Sequence, residues 1–293
     1  MIPQQTSAPT AGPTSHLADL VRTGGGVVLS GAGLSTESGI PDYRGPSGAA
    51  RRHTPMTFQA FRDDAVARRR YWARSYVGWS QMAAARPNDG HRAVATLQRA
   101  GLLGGVITQN VDGLHQAAGA TRVVELHGGL DRVRCLACEA RVGRDDVEAL
   151  LHAANPGFRA EVLGLNPDGD ADIADEHLDA FVVPPCPACG AGPLKPDVVF
   201  FGETVPKDRV ARCFDLVGAG RWLLVLGSSL SVMSGYRFVI RARQLGIPVA
   251  IVNDGPTRAD PGGVDVRVSA PLGPTLNALV DDVLGGQAPP LNA

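Results

Sequence analysis

Short apolar runs recur along the chain with stretches of helical spacing between them. Residues 26–30, Gly-Val-Val-Leu-Ser, are β-branched and run into Gly31. Residues 102–108 follow a helical stretch at 91–100, and further runs stand at 198–201, 222–226 and 247–252. Apolar runs without clean alternation, separated by helices, are how parallel strands covered on both faces read. The pattern predicts an α/β fold, a Rossmann-like, doubly wound parallel sheet.

Two regions break this rhythm. Residues 46–88 hold an arginine-rich helical stretch at 61–79, and residues 132–190 hold two cysteine pairs with little periodicity. They read as a helical insert and a zinc-ribbon insert that together form a smaller lobe. The sheet domain is then discontinuous, over residues 18–45, 89–131 and 191–285. Residues 1–17, rich in Pro, Ser and Thr, read as a disordered lead-in rather than a signal or transit segment. Residues 286–293 read as a flexible tail.

Composition narrows the class. A chain of 293 residues, 44% hydrophobic, supports one large domain or one domain with an insert. Glycine is over-used, at 36 residues, against a usual share of roughly 7%. No Gly-X-Y period accompanies it, so the excess points to tight loops rather than to collagen or a solenoid. With 28 basic and 29 acidic residues there is no footprint for nucleic acid or an anionic membrane. No apolar stretch approaches the roughly 20 residues of a membrane span. A cytoplasmic protein is expected, and its oligomeric state stays open.

Four of the five cysteines form two CxxC pairs, Cys135/Cys138 and Cys186/Cys189. One pair alone would also suit a redox motif. Two pairs bounding one segment offer Zn²⁺ four converging thiolates, with no position left for water, so the metal should be structural. Cys213, in a helical stretch, reads as a small core residue. Asp168, Asp170, Asp172 and Asp179 mimic calcium-loop spacing, but Ile173 stands where the turn needs glycine, so a solvated loop is expected.

After the first strand comes GAGLSTESGIPDYRG, residues 31–45. Glycines just past a parallel strand let the backbone approach a phosphate. As a dinucleotide fingerprint the string is defective, because Thr36 replaces the third glycine. The longer string resembles the signature of the sirtuins, NAD-dependent protein deacylases. The resemblance continues in order through TQNVDGLH (108–115), ELHG (125–128), KPDVVFFGE (195–203), GSSLSV (227–232) and IVNDGPTR (251–258). The cysteine pairs fall where that family carries its zinc ribbon. STESGIPDYR, RYWARSYVGW and NPDGD most resemble class II members, a group with a mitochondrial branch in animals.

The resemblance implies a reaction that consumes NAD as co-substrate. The acyl-lysine carbonyl oxygen attacks the anomeric carbon, nicotinamide leaves, and a ribose hydroxyl then attacks the imidate. Free lysine and O-acyl-ADP-ribose result. His127 would be the general base, a task suited to a side chain titrating near the working pH. Asn110 would order the reacting ribose and water, Gln109 would hold ribose hydroxyls, and Asp112 would bind the carboxamide. Gly31, Ala32, Gly33, Ser35 and Thr36 would surround the diphosphate, and Asp42, Tyr43 and Arg44 would close over the nicotinamide ribose. Gly227, Ser228 and Ser229 fit phosphate or ribose contacts, Asn253 the adenine-side ribose, and Leu272 a late adenine contact. His115 is expected to be structural.

An acyl-lysine protein or peptide is the implied partner. It would pair as a strand with Val199, Phe200 and Gly202. Family members often have proline near position 234, where this chain has Ser234. Tyr71 and Arg74 share a helix face. Their spacing resembles the pair that reads acidic acyl groups in some sirtuins, while the run of surrounding arginines fits a solvated basic face better. Two alternatives to deacylation stand beside it: mono-ADP-ribosyl transfer to protein, and a non-catalytic NAD or ADP-ribose sensor.

Overall fold

The structure, a computed structural model, describes residues 12–43 and 55–285. Its strands are β1 (Gly26–Ser30), β2 (Leu103–Thr108), β3 (Val123–Glu125), β4 (Gly128–Cys135), β5 (Arg141–Gly143), β6 (Val162–Leu165), β7 (Ala171–Ile173), β8 (Leu194–Val198), β9 (Trp222–Leu226), β10 (Val249–Val252) and β11 (Val266–Val268). Its helices are α1 (Pro13–Arg22), α2 (Phe58–Asp63), α3 (Ala65–Ala84), α4 (Asp89–Arg99), α5 (Leu114–Ala117), α6 (Arg144–Ala154), α7 (Lys207–Ala219), α8 (Met233–Gln244) and α9 (Leu272–Leu284). Among the described residues no helix is long and apolar enough to cross a membrane.

Six strands form a parallel sheet in the order β11-β10-β9-β1-β2-β3. The chain builds outward from β1 to β3, then restarts at β9 and builds the other way. The loops leaving β1 and β9 therefore diverge, which opens the switch-point crevice where such sheets bind ligands. Both central strands are buried throughout. Val28, Val106, Leu224 and Ala250 pack with Leu17 and Val21 of α1, Leu97 of α4 and Leu276 of α9. The alternate residues Val27, Leu29, Leu223 and Val225 pack with Val217 of α7 and Phe238 of α8. Each face thus has its own helical layer, as the unbroken apolar runs require.

A second core unites both inserts. Phe61, Tyr71 and Trp72 from α2 and α3 meet Leu130, Val133, Leu151, Phe181 and Leu194. The antiparallel sheet beneath them has the order β5-β4-β8, and β6 and β7 form a separate hairpin. This lobe's sheet runs from Gly128 to Val198, wider than the 132–190 expected.

Local chemistry sets several boundaries. Asp64 Oδ1 accepts from Val66 N at 2.7 Å and Ala67 N at 3.2 Å, so the helix expected over 61–79 is two, split at this cap. Asn88 opens α4 with a reciprocal cap to His91. The disordered lead-in expected through residue 17 is corrected, because α1 starts at Pro13 and seats Leu17 fully in the core. Residues 1–11 and 286–293 lie outside the described residues. The apolar run at 198–201 is not a strand of the parallel sheet. Its first residue ends β8 in the small lobe, and the rest leaves as a loop beside the crevice.

Most of the acidic stretch is not the solvated loop expected. Asp168, Asp170 and Asp172 belong to the β6–β7 hairpin, turned at residues 166–169, with Asn166 and Asp170 buried, whereas Asp179 lies beyond it and is exposed as expected. Asn166 Nδ2 donates to Asp170 Oδ1 at 2.7 Å and to Asp172 Oδ1 at 3.2 Å, which ties the hairpin's two arms together.

Candidate active site

Strand ends deliver the site. Gly31 follows β1, Gln109 and Asn110 follow β2, His127 joins β3 to β4, and residues 227–229 follow β9. Gly227 has φ +59°, and a Cβ there would stand 2.4 Å from Leu34 N, so only glycine allows the β9 loop to cross the glycine loop. Gly33 N donates to Gly227 O at 2.9 Å and locks the crossing.

The crevice is a cavity of about 980 Å³. Gly31, Ala32, Gly33, Ser35, Thr36, Asp42, Tyr43, Gln109, Asn110, Asp112 and His127 line it, with Gly227, Ser228, Ser229, Asn253 and Leu272. Val199, Phe200 and Gly202 form its far wall, so the expected nucleotide and peptide residues share one space. Arg44 lies outside the described residues.

Its polar groups are tied into a network. Asn110 Nδ2 donates to Gly31 O at 3.1 Å and to Ser35 Oγ at 3.0 Å. Ser35 Oγ donates in turn to Asp112 Oδ2 at 2.7 Å. Burial raises the Asp112 carboxyl above its ordinary range, while the Ser35 and Leu114 hydrogen bonds pull it back. Gln109 Nε2 donates to Ser228 Oγ at 2.9 Å, joining the β2 and β9 loops.

His127 is held at both ring nitrogens. Nδ1 lies 2.9 Å from the backbone oxygen of Gln109, and Nε2 lies 2.9 Å from Ser234 Oγ. A carbonyl only accepts, so Nδ1 carries the proton and Nε2 presents its lone pair. Burial pushes the imidazole down to about 4, opposed by the Gln109 bond and assisted by Arg209 and Arg237. At neutral pH the ring is an unprotonated base. His115 is structural in position, buried with Nε2 2.8 Å from Ser30 Oγ.

The peptide wall is braced from below. Val199 N donates to His127 O at 2.7 Å, and Phe58 N to Phe201 O at 2.9 Å. Phe201 and Val232 line the same cavity and stand exposed. Tyr43 meets Phe201 edge-on, with ring centroids 6.1 Å apart.

Tyr71 and Arg74 are not among the residues lining the cavity, although Tyr71 packs on Phe200, which is. Tyr71 is 1% exposed and packs on Phe61 and Phe200 at 5.4 and 5.1 Å. Its helix face is the one α3 buries against the ribbon and the hairpin. Of the neighbouring arginines, Arg62 and Arg70 are exposed, as a solvated face requires, while Arg68 and Arg69 reach backbone carbonyls. Arg68 donates to the carbonyls of Phe61 and Arg62, and Arg69 to that of Asp179.

Some lining residues escaped the sequence reading. Glu37, Ile40, Asp168 and Ser234 all face the cavity. Asp168 stands out in sequence for its calcium-like spacing and within NPDGD, but neither points to the cleft, which it reaches only through the fold of its hairpin. The departure at Ser234 was visible but carried no hint of its contact with His127.

The four cysteines converge apart from this cavity. Their sulfurs lie within 4.8 Å of one another, with Cys135–Cys189 and Cys138–Cys186 each at 3.8 Å. A tetrahedron with Zn–S bonds near 2.3 Å has edges of about 3.8 Å, so the set fits a structural zinc. Backbone N–H groups of Ala137, Ala188 and Gly192 point at the sulfurs and would stabilise thiolates. Cys213 is a buried core residue, as expected.

A switch-point crevice, a neutral histidine at its centre and a four-thiolate ribbon beside it define a nucleotide-binding α/β enzyme with a metal-stapled lobe. The chain belongs to the Sir2 family, which it matches over residues 31–234. It is 59% identical over 265 residues to NAD-dependent protein deacetylase 1 of Streptomyces coelicolor, covering 90% of this chain and 88% of that one. It is 48% identical over 266 residues to NAD-dependent protein deacetylase 1 of Corynebacterium efficiens, covering 89% and 94%. Among solved structures it is similar to one described as "Sir2-p53 peptide-NAD+", with a TM-score of 0.74, 29% identity, and coverage of 94% and 99%.

Proposed function

We infer that this protein is an NAD-dependent protein deacetylase with His127 as its general base. The observation that carries the assignment is the shared cavity. His127, the nucleotide loops after β1, β2 and β9, and the peptide wall at 199–202 all open into one space. Relatives named NAD-dependent protein deacetylase at 48–59% identity support the same reading.

The cavity fits NAD by volume and by donor set. Ala32, Gly33, Ser35 and Thr36 hold the diphosphate end, Ser228, Ser229 and Asn253 the adenosine side, and Asn110 and Asp112 the nicotinamide end. NAD supplies an electrophilic anomeric carbon and a leaving nicotinamide. The chain's own contribution is positional and protic. Gln109 fixes the imidazole, Nε2 takes the proton of a ribose hydroxyl, and the wall at Val199 and Phe200 aligns the acyl-lysine. Zinc acts on structure alone, because all four ligands are sulfur.

The cavity wall also bears on the acyl group. Asp168 lines it, and Tyr71 stands one layer behind Phe200 rather than on its surface, which favours an uncharged acyl chain over a second carboxylate. Four cysteines gathered as metal thiolates rather than paired as disulfides support a reducing, cytoplasmic setting.

The test is a panel of acetyl-, longer-acyl- and succinyl-lysine peptides incubated with NAD and read by mass spectrometry. Free lysine, nicotinamide and O-acetyl-ADP-ribose are expected from the acetyl peptide, with the succinyl peptide poorly used. ADP-ribose attached to protein, without loss of acetyl, would assign transferase activity instead.

A further inference from the structure

The hydroxyl of Ser234 meets the one nitrogen of His127 that the reaction needs. It lies 2.9 Å from Nε2 at the first turn of α8, inside the same cavity. We propose that Ser234 is a positioning residue for the general base, presenting Nε2 unprotonated to the cleft and then stabilising the imidazolium formed when the base takes its proton. This rests on His127 being the base.

The tautomer sets the direction of both contacts. Because the Gln109 carbonyl requires the proton on Nδ1, Nε2 has only a lone pair to offer, and Ser234 must donate to it. In the reaction the O–H bond of the ribose hydroxyl breaks and an N–H bond forms on Nε2. The oxygen keeps the electron pair with which it attacks the acyl carbon. The ring is now a cation with both nitrogens protonated, and Ser234 Oγ changes from donor to acceptor. A hydroxyl can serve both states without moving its oxygen, and few other side chains can.

The two anchors are built as one unit. A Cβ on Gly235 would stand 2.4 Å from Gln109 Oε1, so the first turn of α8 rests directly on the residue whose carbonyl holds Nδ1. Gln109 and Ser234 therefore grip opposite edges of the imidazole from elements in contact with each other. Arg209 of α7 and Arg237 of α8 oppose a positive charge on the ring. An acceptor at Nε2 is the compensation available within the cavity.

Ser234 also competes with the ribose hydroxyl for Nε2, so removing it has opposing effects. Hydrogen bonds to an ionised partner are roughly twice as strong as neutral ones, so losing the imidazolium contact outweighs freeing the lone pair.

The experiment compares Ser234→Ala and Ser234→Thr with the unaltered protein, using acetyl-lysine peptide and NAD. It reads two rates: deacetylation, and exchange of labelled nicotinamide into NAD. Exchange needs cleavage and re-formation of the nicotinamide–ribose bond but no hydroxyl deprotonation. Ser234→Ala should lower kcat for deacetylation about tenfold, leave exchange within about twofold, and be rescued by Ser234→Thr. Unchanged deacetylation in Ser234→Ala, or an equal fall in both rates, would overturn the proposal. If His127→Ala itself deacetylates at the unaltered rate, the assignment of the base fails first, and that outcome is read independently of Ser234.

Discussion

Lys195 and Glu203 form a buried ion pair under the peptide wall, with Nζ 2.9 Å from Oε2. The same Oε2 accepts from Phe200 N at 2.9 Å, and the ammonium lies 4.4 Å from the Phe200 ring centroid. The pair therefore shapes the loop that leaves β8 toward the substrate. Burial lowers the Lys195 pKa and the Glu203 carboxylate raises it back.

Lys195→Met should accordingly leave a carboxylate that keeps only 14% of its surface in water with Arg134, 3.8 Å away, as its remaining cation. The expected loss is about 3–5 kcal/mol, read from urea unfolding, together with a higher KM for peptide than for NAD relative to the unaltered protein. The double variant Lys195→Met/Glu203→Gln should be more stable than the single one, because that carboxylate is gone. Equal losses in the two would show that packing, not charge, sets the cost.

Removal of the metal should disable the enzyme without touching its cleft. Cys135 ends β4, which begins immediately after His127, and β8 feeds the wall at 199–202. Cys135 and Cys186 are also part of the lobe's core. A strong chelator should release one zinc per chain, expose four additional reactive thiols, and abolish deacetylation until zinc is restored. Metal content by mass spectrometry and thiol titration check this. Full activity in a metal-free, thiol-exposed protein would refute the structural role.

The parts of this molecule legible in sequence are those whose physics is local. β1, β9 and β10 read as strands because burial on both faces leaves no polar position to break the run. The nucleotide loops read from the order of the motifs, and the zinc site from two turns that each converge two thiols. The rest depends on what packs against what. β3 and β11 are three residues each, too short for any period to register. Tyr71 reads as part of an acyl pocket or of a solvated basic face until α3 is seen to bury it. Asp168 reads as a loop residue because nothing nearby shows that its hairpin folds over the cleft. The Ser234 contact joins residues 107 positions apart, and only the sheet brings them together.

Acid should unfold the protein earlier than its carboxylates alone would require. Burial pushes His91 down to about 4, His115 to about 3 and His127 to about 4. Each folded-state value is below the ordinary 6.5, so below pH 6.5 the unfolded chain binds the extra protons and stability falls as pH drops toward 4. Between pH 7.5 and 5.5 the three together should cost roughly 4 kcal/mol. Urea midpoints at the two pH values measure it, and His115→Asn should flatten the dependence. An unchanged midpoint would mean that these histidines are not held neutral.

The same depressed value gives His127 a distinctive pH signature. A histidine at its ordinary 6.5 would produce an acid limb in kcat/KM through the physiological range. Here the free enzyme's base is already unprotonated above about pH 4. The acid limb should therefore lie below pH 6 and be approached only as the fold begins to fail. His127→Ala should reduce deacetylation by roughly 10²–10⁴-fold. It should retain NAD binding, because the nucleotide loops are tied to one another through Gly33–Gly227 and Gln109–Ser228 rather than through the imidazole. Calorimetric titration with NAD separates the two roles. Binding lost in step with activity would make His127 a scaffold for the loops, whereas binding kept with activity lost leaves proton transfer as its task.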